Sequence, residues 1–235
     1  MEEARAYEEL RVGFTAAVSH ELRTPLARLL ALLETAALPG VDSEALLAEA
    51  REQVEEMSEL VDDVLFLSEL ESGREVVALG STPVRPVLEE VRDRLSNSAE
   101  HADVRVVLDA GSDVELPLRR RMLQVVAENL AENSIRYSGP GSTLTLSARA
   151  GELEAADDGR GVEPEELPRL FERFYRSDRA RASRGTGLGL AIVKHVVVSA
   201  GGQVEAEGEP GRGLRIRCTF PAPGGVARSE RLRSS

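Results

Sequence analysis

The octapeptide at residues 19–26 carries a histidine in a setting that suits nucleophilic chemistry; its sequence is Ser19-His20-Glu21-Leu22-Arg23-Thr24-Pro25-Leu26. Consecutive residues of a helix are about 100° apart, so His20 lies roughly 200° from Val18 and from Leu22, and it points to solvent when those two face a partner helix. An imidazole in water is largely neutral at pH 7, which leaves one ring nitrogen free to attack. Glu21 can hold the proton of the other nitrogen, and Thr24 follows one turn later on the same face.

Two asparagines lie four residues apart in the helical pattern of residues 118–136 and therefore share one helix face. The amide oxygens of Asn129 and Asn133 can bind Mg²⁺, and the second asparagine can meet phosphates. Arg136 adds a positive charge to this face, and Tyr137 ends the pattern. An exposed polar helix face is the alternative interpretation.

The segment after the short predicted strand 153–155 places carboxylates before glycines. Asp157 can accept a hydrogen bond from the amino group of adenine, while Gly159 and Gly161 allow backbone to approach a ligand. Asp158 adds a second negative charge. An ordinary turn is the alternative for this segment taken alone.

A second glycine-rich segment opens the predicted helix 191–199, and its residues are Gly185, Thr186, Gly187, Leu188 and Gly189. Backbone N–H groups at a helix N-terminus can bind phosphate. The segment is not a P-loop, because no Lys-Ser or Lys-Thr pair follows, and it lacks the strand context of a dinucleotide-binding fingerprint.

The stretch between the two glycine-rich segments begins with Phe171 and Phe174 and then loses its apolar content. Residues 177–184 carry three arginines that could meet a triphosphate: Arg179, Arg181 and Arg184. This composition predicts a mobile lid anchored by the aromatics. A solvated loop is the alternative.

The first 72 residues predict two long helices that form a hairpin. Apolar residues recur every three or four positions in both halves, and Pro39 and Gly40 interrupt the pattern before a cap at Asp42 or Ser43. The seam of the second helix comprises Leu47, Ala50, Val54, Met57, Val61 and Val64. Flanking apolar residues such as Leu30, Leu46, Leu60 and Leu67 would be covered by the hairpin of a second copy, which predicts a dimeric four-helix bundle.

After Gly73 the pattern becomes mixed, and it predicts an α/β sandwich. Strands are expected at 76–79, 104–108, 143–148, 153–155 and 214–220, and helices at 84–99, 118–136 and 191–199. Residues 222–235, rich in Pro, Gly, Arg and Ser, predict a frayed tail.

Composition narrows the classes of function. The net charge of −12 argues against a nucleic-acid partner or contact with an anionic membrane, and much of the acidic excess lies on the two N-terminal helices, where it predicts a solvated surface. The single Cys218 excludes an internal disulfide. No uninterrupted apolar stretch approaches the roughly 18 residues that span a bilayer.

Taken in order, these motifs resemble the H, N, G1, F and G2 boxes of the sensor histidine kinases, whose ATP-binding fold is shared with gyrase, Hsp90 and MutL. The resemblance runs from about residue 9 to 220. It implies an α+β protein with a dimerisation and phosphotransfer hairpin at 1–74, an α/β sandwich that binds ATP at 75–221, and a flexible tail at 222–235.

The resemblance also implies roles for individual residues. His20 would be the phosphoacceptor, Glu21 would assist transfer, and Thr24 would support phosphatase action on the partner. Asn133 would bind Mg²⁺ with Asn129, and Asp157 would read adenine. The remaining nucleotide contacts would come from Arg136, Tyr137, Gly159, Gly161, Phe171, Phe174, Arg184, Gly185, Thr186, Gly187, Leu188 and Gly189. Arg136 stands where lysine is common, and Asp158 stands where asparagine is common.

The implied function is autophosphorylation of His20 from Mg-ATP, followed by transfer to an aspartate in the receiver domain of a response regulator. A core that mainly dephosphorylates its regulator and a nucleotide-gated dimeric scaffold are the alternatives; an ATPase of the gyrase or Hsp90 kind would leave the H box unexplained. The resemblance further suggests the cytoplasmic segment of a longer, membrane-anchored receptor.

Overall fold

The N-terminal hairpin has the two helices that its apolar pattern predicts. The computed structural model describes residues 2–39, 41–72, 80–177 and 185–221, and only the backbone of residues 2–14. Helix α1 spans Glu2–Ala36 and helix α2 spans Ser43–Glu71. The carboxylate of Asp42 caps α2 by accepting the N–H groups of Glu44 and Ala45 at 3.1 and 3.2 Å, so one of the two expected caps is used.

Besides β1 (Thr82–Pro83) and a short 3-10 helix at Leu167–Arg169, the described residues after 79 contain three α-helices. These are α3 (Val84–His101), α4 (Arg120–Tyr137) and α5 (Gly189–Ser199). The other strands are β2 (Arg105–Ala110), β3 (Glu115–Leu116), β4 (Thr143–Arg149), β5 (Glu152–Asp157), β6 (Gln203–Gly208) and β7 (Leu214–Thr219).

Five of these strands form one sheet in the order β2-β4-β5-β7-β6. Strands β2 and β4 are parallel, and the other neighbours are antiparallel. Side chains alternate across the sheet: Leu144, Leu146 and Leu153 are fully buried, whereas Glu154 and Arg217 pair at 3.0 Å on the opposite face. Helices α3, α4 and α5 pack together over the buried face, which confirms the predicted α/β sandwich.

The structure contains three strands that the sequence did not predict, and two of them, β1 and β3, pair only with each other. Strand β6 was not predicted, and it forms the sheet edge beside β7. The predicted strand at 76–79 and the tail at 222–235 lie outside the described residues. Among the helices that are described, none is long and apolar enough to span a membrane.

Helix α2 packs against the sandwich, which corrects one expectation about the hairpin. Leu60 and Leu67 are buried, and with Leu70 they belong to the hydrophobic cluster that contains the core residues of α4 and α5. The guanidinium of Arg121, on α4, lies 5.6 Å from the ring centre of Phe66. Leu60 and Leu67 are therefore covered within one chain and not left for a second copy.

Candidate functional site

The histidine of the H box lies on the exposed face of α1. His20 is exposed, whereas Val18 and Leu22 are half-buried, which is the orientation that helical spacing predicts. The Thr24 hydroxyl lies 3.5 Å from the carbonyl oxygen of His20, at the long end for a hydrogen bond. Pro25 has no N–H to donate to the carbonyl group of Glu21 four residues earlier. Because His20 is exposed, its imidazole can be approached from solvent.

Glu21 follows His20 on α1 and is half-buried. Within the described part of the chain, no hydrogen bond or ion pair joins the two side chains. The expected contact between the Glu21 carboxylate and a ring nitrogen of His20 is therefore not formed in this conformation.

The two asparagines of the N box lie on one face of α4, as predicted, and both are half-buried. The Nδ2 atom of Asn129 donates to the carbonyl oxygen of Val125 at 2.9 Å, so its Oδ1 atom is the end left for a ligand. A Cβ atom placed on Gly189 would lie 2.4 Å from that Oδ1, which shows that the N box touches the first residue of α5. An amide oxygen in this position has the chemistry that Mg²⁺ prefers.

Asp157 ends β5 and has three hydrogen-bond donors around its carboxylate. Its Oδ1 atom accepts the backbone N–H groups of Gly159 at 3.0 Å and Leu214 at 3.3 Å, and its Oδ2 atom accepts the Ser134 hydroxyl at 3.0 Å. Burial raises the pKa of Asp157 above its ordinary value, and the negative charge of Asp158 acts in the same direction. The three donors oppose that rise because they stabilise the ionised form.

Asp158 has a structural role in the G1 box that its sequence position does not reveal. Its Oδ1 atom accepts the backbone N–H of Thr143 at 2.6 Å, while the residue remains exposed. The bond ties the turn after β5 to the start of β4. An asparagine could make the same bond through its amide oxygen, which explains why either residue suits this position.

The glycines of the G1 box allow two backbones to meet. Gly161 has a φ of +66°, and a Cβ atom there would lie 1.9 Å from the carbonyl oxygen of Glu209. A Cβ atom on Gly159 would lie 2.5 Å from Cα of Ser138, the residue that follows α4. Both positions need glycine because no side chain fits between the segments.

The F and G2 boxes are joined at the base of the predicted lid. Phe171 and Phe174 are half-buried against the core, and the N–H of Phe174 donates to the carbonyl oxygen of Gly187 at 2.9 Å. Phe174 has a φ of +61°, and a Cβ atom on Gly187 would lie 2.9 Å from its Cα. Arg179, Arg181 and Arg184 lie outside the described residues, so the lid stays a prediction.

The G2 box also meets the N box and helix α2. A Cβ atom on Gly185 would lie 2.4 Å from a guanidinium nitrogen of Arg136 and 3.2 Å from the Tyr137 hydroxyl. Leu188 is fully buried, and its N–H donates to the Thr186 hydroxyl at 3.2 Å. The N, G1, F and G2 boxes thus form one continuous site.

Two carboxylates of α2 hold the G2 box, which corrects the expectation that the acidic face of α2 is only solvated surface. Glu56 accepts the N–H of Gly185 at 3.3 Å, and Asp63 accepts the Thr186 hydroxyl at 2.7 Å. Glu71 pairs with Arg173 of the F box at the end of the same helix. No signal in the sequence distinguishes these three carboxylates from the other acidic residues of α2.

Two carboxyl groups near this contact, those of Asp63 and Glu132, have pKa values above the ordinary range. Burial raises the pKa of Asp63, and repulsion by Glu59 and Asp62 adds to the rise. The Thr186 hydroxyl and the Arg136 guanidinium oppose it. Burial likewise raises the pKa of Glu132, on α4, against the opposing charge of Arg136. The contact therefore concentrates negative charge around one arginine.

The register of the hairpin shows where on α2 the G2 box is held. Arg28 of α1 pairs with Glu49 of α2 at 2.7 Å, which sets the antiparallel alignment of the helices. Seven residues back from Arg28 is Glu21, and seven residues forward from Glu49 is Glu56. Glu56, which binds Gly185, therefore lies level with the H box.

Two family models match separate parts of this chain. Residues 10–73 match the His Kinase A (phospho-acceptor) domain, and residues 118–224 match the Histidine kinase-, DNA gyrase B-, and HSP90-like ATPase family. The sensor-like histidine kinase SenX3 of Mycobacterium tuberculosis is 34% identical over 224 residues, which are 92% of this chain and 55% of the relative. The phosphate regulon sensor protein PhoR of Pseudomonas aeruginosa is 37% identical over 235 residues, covering 95% of this chain and 53% of the relative.

Solved structures show the same architecture. The Acinetobacter baumannii histidine kinase AdeS superposes with a TM-score of 0.69 at 28% identity, over 86% of this chain and 97% of that one. The histidine kinase ThkA, solved in complex with the response regulator protein TrrA, shares the fold with a TM-score of 0.73 at 19% identity, over 94% of this chain and 65% of that one. The chain spans about half the length of the curated relatives that it matches. By these two domains and these relatives, the chain belongs to the sensor histidine kinases of two-component systems and comprises their catalytic core.

Proposed function

We propose that this chain autophosphorylates His20 from Mg-ATP and passes the phosphoryl group to an aspartate of a response-regulator receiver domain. The observation that carries the proposal is the bond between Glu56 and Gly185, because it holds the G2 box level with the H box. The segment proposed to bind phosphate and the exposed His20 then lie at the same level along the axis of the hairpin. The proposed division is a phosphotransfer hairpin at 1–74, a catalytic domain at 75–221 and a tail at 222–235.

The residues of the site fit ATP and Mg²⁺. Asp157 presents a carboxylate to the adenine amino group, and the N–H groups at the start of α5 and the Arg136 guanidinium suit the phosphates. Asn129 and Asn133 would hold Mg²⁺ through amide oxygens. The ion would neutralise charge on the phosphates and on the transition state.

His20 supplies the nucleophile. One ring nitrogen forms a bond to the γ-phosphorus as the bond from that phosphorus to the β,γ-bridging oxygen breaks, and ADP leaves with the electron pair. The proton on the other nitrogen stays in place while the ring becomes positively charged. Glu21 would turn to accept a hydrogen bond from that nitrogen and stabilise the charge. Glu56 must release Gly185 if phosphate is to use the same N–H group.

The partners proposed for the chain are a receiver domain and a second copy of itself. A receiver domain would dock beside the exposed His20, where Thr24 could orient a water molecule for dephosphorylation of the regulator. A second copy would cover apolar side chains that one hairpin leaves exposed: Leu26, Leu30, Leu33, Leu47, Val54, Val61 and Leu65. Location in the cytoplasm stays a prediction.

The proposed activity is tested by incubating the chain with ATP labelled at the γ-phosphate. Wild-type protein should acquire a label that is stable in alkali and labile in acid, and His20→Gln should abolish it. His101→Gln is the matched control, because His101 is also exposed and lies on α3, far along the chain from every box. Label that persists in His20→Gln would contradict the assignment. Loss of regulator dephosphorylation in Thr24→Ala, with autophosphorylation retained, would identify the phosphatase role.

A further inference from the structure

Ser134 lies one residue after Asn133 on α4 and makes a contact that no box motif includes. Its side chain is buried, with 4% of the residue exposed. Its hydroxyl donates to Oδ2 of Asp157 at 3.0 Å. The bond crosses from α4 to the end of β5, so it links the N box directly to the G1 box.

The acceptor sites of the Asp157 carboxylate can be counted. An ionised carboxylate has about four lone-pair positions, two on each oxygen. Both positions on Oδ1 are taken by the N–H groups of Gly159 and Leu214, and Ser134 takes one on Oδ2. One position on Oδ2 remains for a ligand. A donor such as the exocyclic amino group of adenine matches it, whereas the carbonyl oxygen of a 6-oxopurine would be repelled.

We propose that Ser134 is a positioning residue for nucleotide selection, because its hydroxyl holds the Asp157 carboxylate in the orientation that reads the amino group of adenine. The inference rests on the proposed ATP-binding function. Without this hydroxyl only the two hydrogen bonds to Oδ1 resist rotation of the carboxylate about its Cβ–Cγ bond. Oδ2 then has two unfilled acceptor positions, and its direction is less firmly fixed.

The partial burial of Asp157 makes its supporting donors important. Desolvation disfavours the ionised carboxylate, and the Ser134 hydroxyl is one of three donors that favour it. Protonation of Asp157 would place an O–H donor where the amino group of adenine also offers a donor, and the two would not form a hydrogen bond. Ser134 thus supports both the direction and the charge of the group that selects the base.

The test compares two nucleotides on the whole chain by calorimetry: ATP, and purine riboside 5′-triphosphate, which lacks the amino group but keeps the ring and the phosphates. Wild-type protein should prefer ATP. Ser134→Ala should bind ATP about tenfold more weakly, the size expected for one hydrogen bond to a charged group. Its affinity for the purine analogue should stay within about twofold of wild type.

A matched control and a second variant keep the result specific. Ser138→Ala removes another buried hydroxyl one turn later, which contacts Ser142 and not Asp157, and it should leave the preference for ATP unchanged. Ser134→Cys keeps the volume with a weaker donor, so it should give an intermediate loss and serves if the alanine variant fails to fold. In an Asp157→Asn background, Ser134→Ala should change ATP affinity much less.

The outcomes separate the two proposals. If Ser134→Ala lowers the affinity for both nucleotides equally, or leaves the affinity for ATP unchanged, the positioning role is overturned. ATP binding by the wild type still stands in either case. Wild-type protein that binds neither triphosphate would overturn the ATP-binding function and the role of Ser134 with it.

Discussion

Some glycines of the G1 region are required because another backbone segment lies too close for a side chain. Gly161 is the clearest case. Its φ of +66° is costly for any other residue, and a Cβ atom there would lie 1.9 Å from the Glu209 carbonyl oxygen. Gly211 has a similar φ of +76°, but nothing lies within 4 Å of its Cβ position. The two glycines therefore separate backbone strain from steric conflict.

We predict that Gly161→Ala lowers the free energy of unfolding more than Gly211→Ala does. The latter should cost about 1–2 kcal/mol, the strain of an alanine in the left-handed region. Gly161→Ala adds a collision with main chain that cannot rotate away, so its total should exceed about 3 kcal/mol. Urea unfolding of both variants measures the difference. Equal losses would show that the turn at Glu209 moves aside.

The chemistry of single residues was predictable where one residue type in one local pattern is enough. The exposure of His20 follows from helical spacing, and the position of the Asp157 carboxylate at the end of β5 follows from the predicted strand and the glycines after it. The roles of Ser134 and Asp158 could not be read in this way. Each depends on which segment lies beside it in three dimensions, α4 beside the end of β5 and β4 beside the G1 turn.

At the scale of elements, the contact between α2 and the G2 box makes stability depend on pH. Burial is the main cause that raises the pKa of Asp63 in the folded state above its ordinary value; Glu59 and Asp62 also raise it, whereas Thr186 and Arg136 lower it. A raised carboxyl pKa means that the folded state binds the proton more tightly than the unfolded state. Between the unfolded and folded pKa values, stability therefore falls as pH rises, and the ionised group is unfavourable above that window.

We expect Asp63→Asn to raise the thermal midpoint near pH 7, because the amide can still accept the Thr186 hydroxyl without carrying a buried charge. The gain should shrink as pH falls into the range where the raised pKa of Asp63 keeps the carboxyl protonated in the folded state. Asp62→Asn changes the net charge equally at an exposed neighbour and should show a much smaller gain. A constant gain across pH would exclude titration of Asp63 as the cause.

The elements themselves were largely predictable, and the exceptions have physical causes. The sequence does not predict strand β6, because residues 203–208 contain one β-branched residue among polar and small ones. This segment is a strand because its backbone pairs with β7. The apolar repeat of α2 was predicted as a single seam. In the structure the flanking residues Leu60 and Leu67 pack on the sandwich, whereas Leu47, Val54 and Val61 of the predicted seam stay exposed, so α2 has two apolar stripes.

For the whole molecule, the distribution of charge is more informative than the net value of −12. Glu56 and Asp63 of α2 bind the G2 box. Arg136 lies on α4, close enough to Asp63 for their charges to interact. A negative chain thus keeps a positive group at the place proposed for phosphates. The sequence could not reveal this arrangement, because the bonded residues of α2 and the G2 box are more than a hundred residues apart in the chain.

The two stripes of α2 lead to a prediction about assembly. Leu47, Val54 and Val61 recur every seven residues, the spacing that keeps a seam on one helix face, and their exposure in one chain is 48%, 49% and 43%. If a second copy covers this stripe, a charge placed in it must be buried without a partner. We therefore expect Leu47→Glu to convert the dimer to a monomer at micromolar concentration, since the lost apolar burial and the buried charge together cost several kcal/mol per site.

Leu38→Glu provides the same substitution outside the stripe. Leu38 lies in the turn between α1 and α2 and is 58% exposed, so its replacement should leave a dimeric mass. Light scattering on the wild type and both variants gives the mass, and thermal unfolding shows that each variant stays folded. Because Leu47 lies on a different stripe of α2 from the docking residues Leu60 and Leu67, Leu47→Glu should keep its affinity for ATP while losing the dimer. A monomeric wild type, or a dimer that survives Leu47→Glu, would show that these residues are exposed for a reason other than self-association.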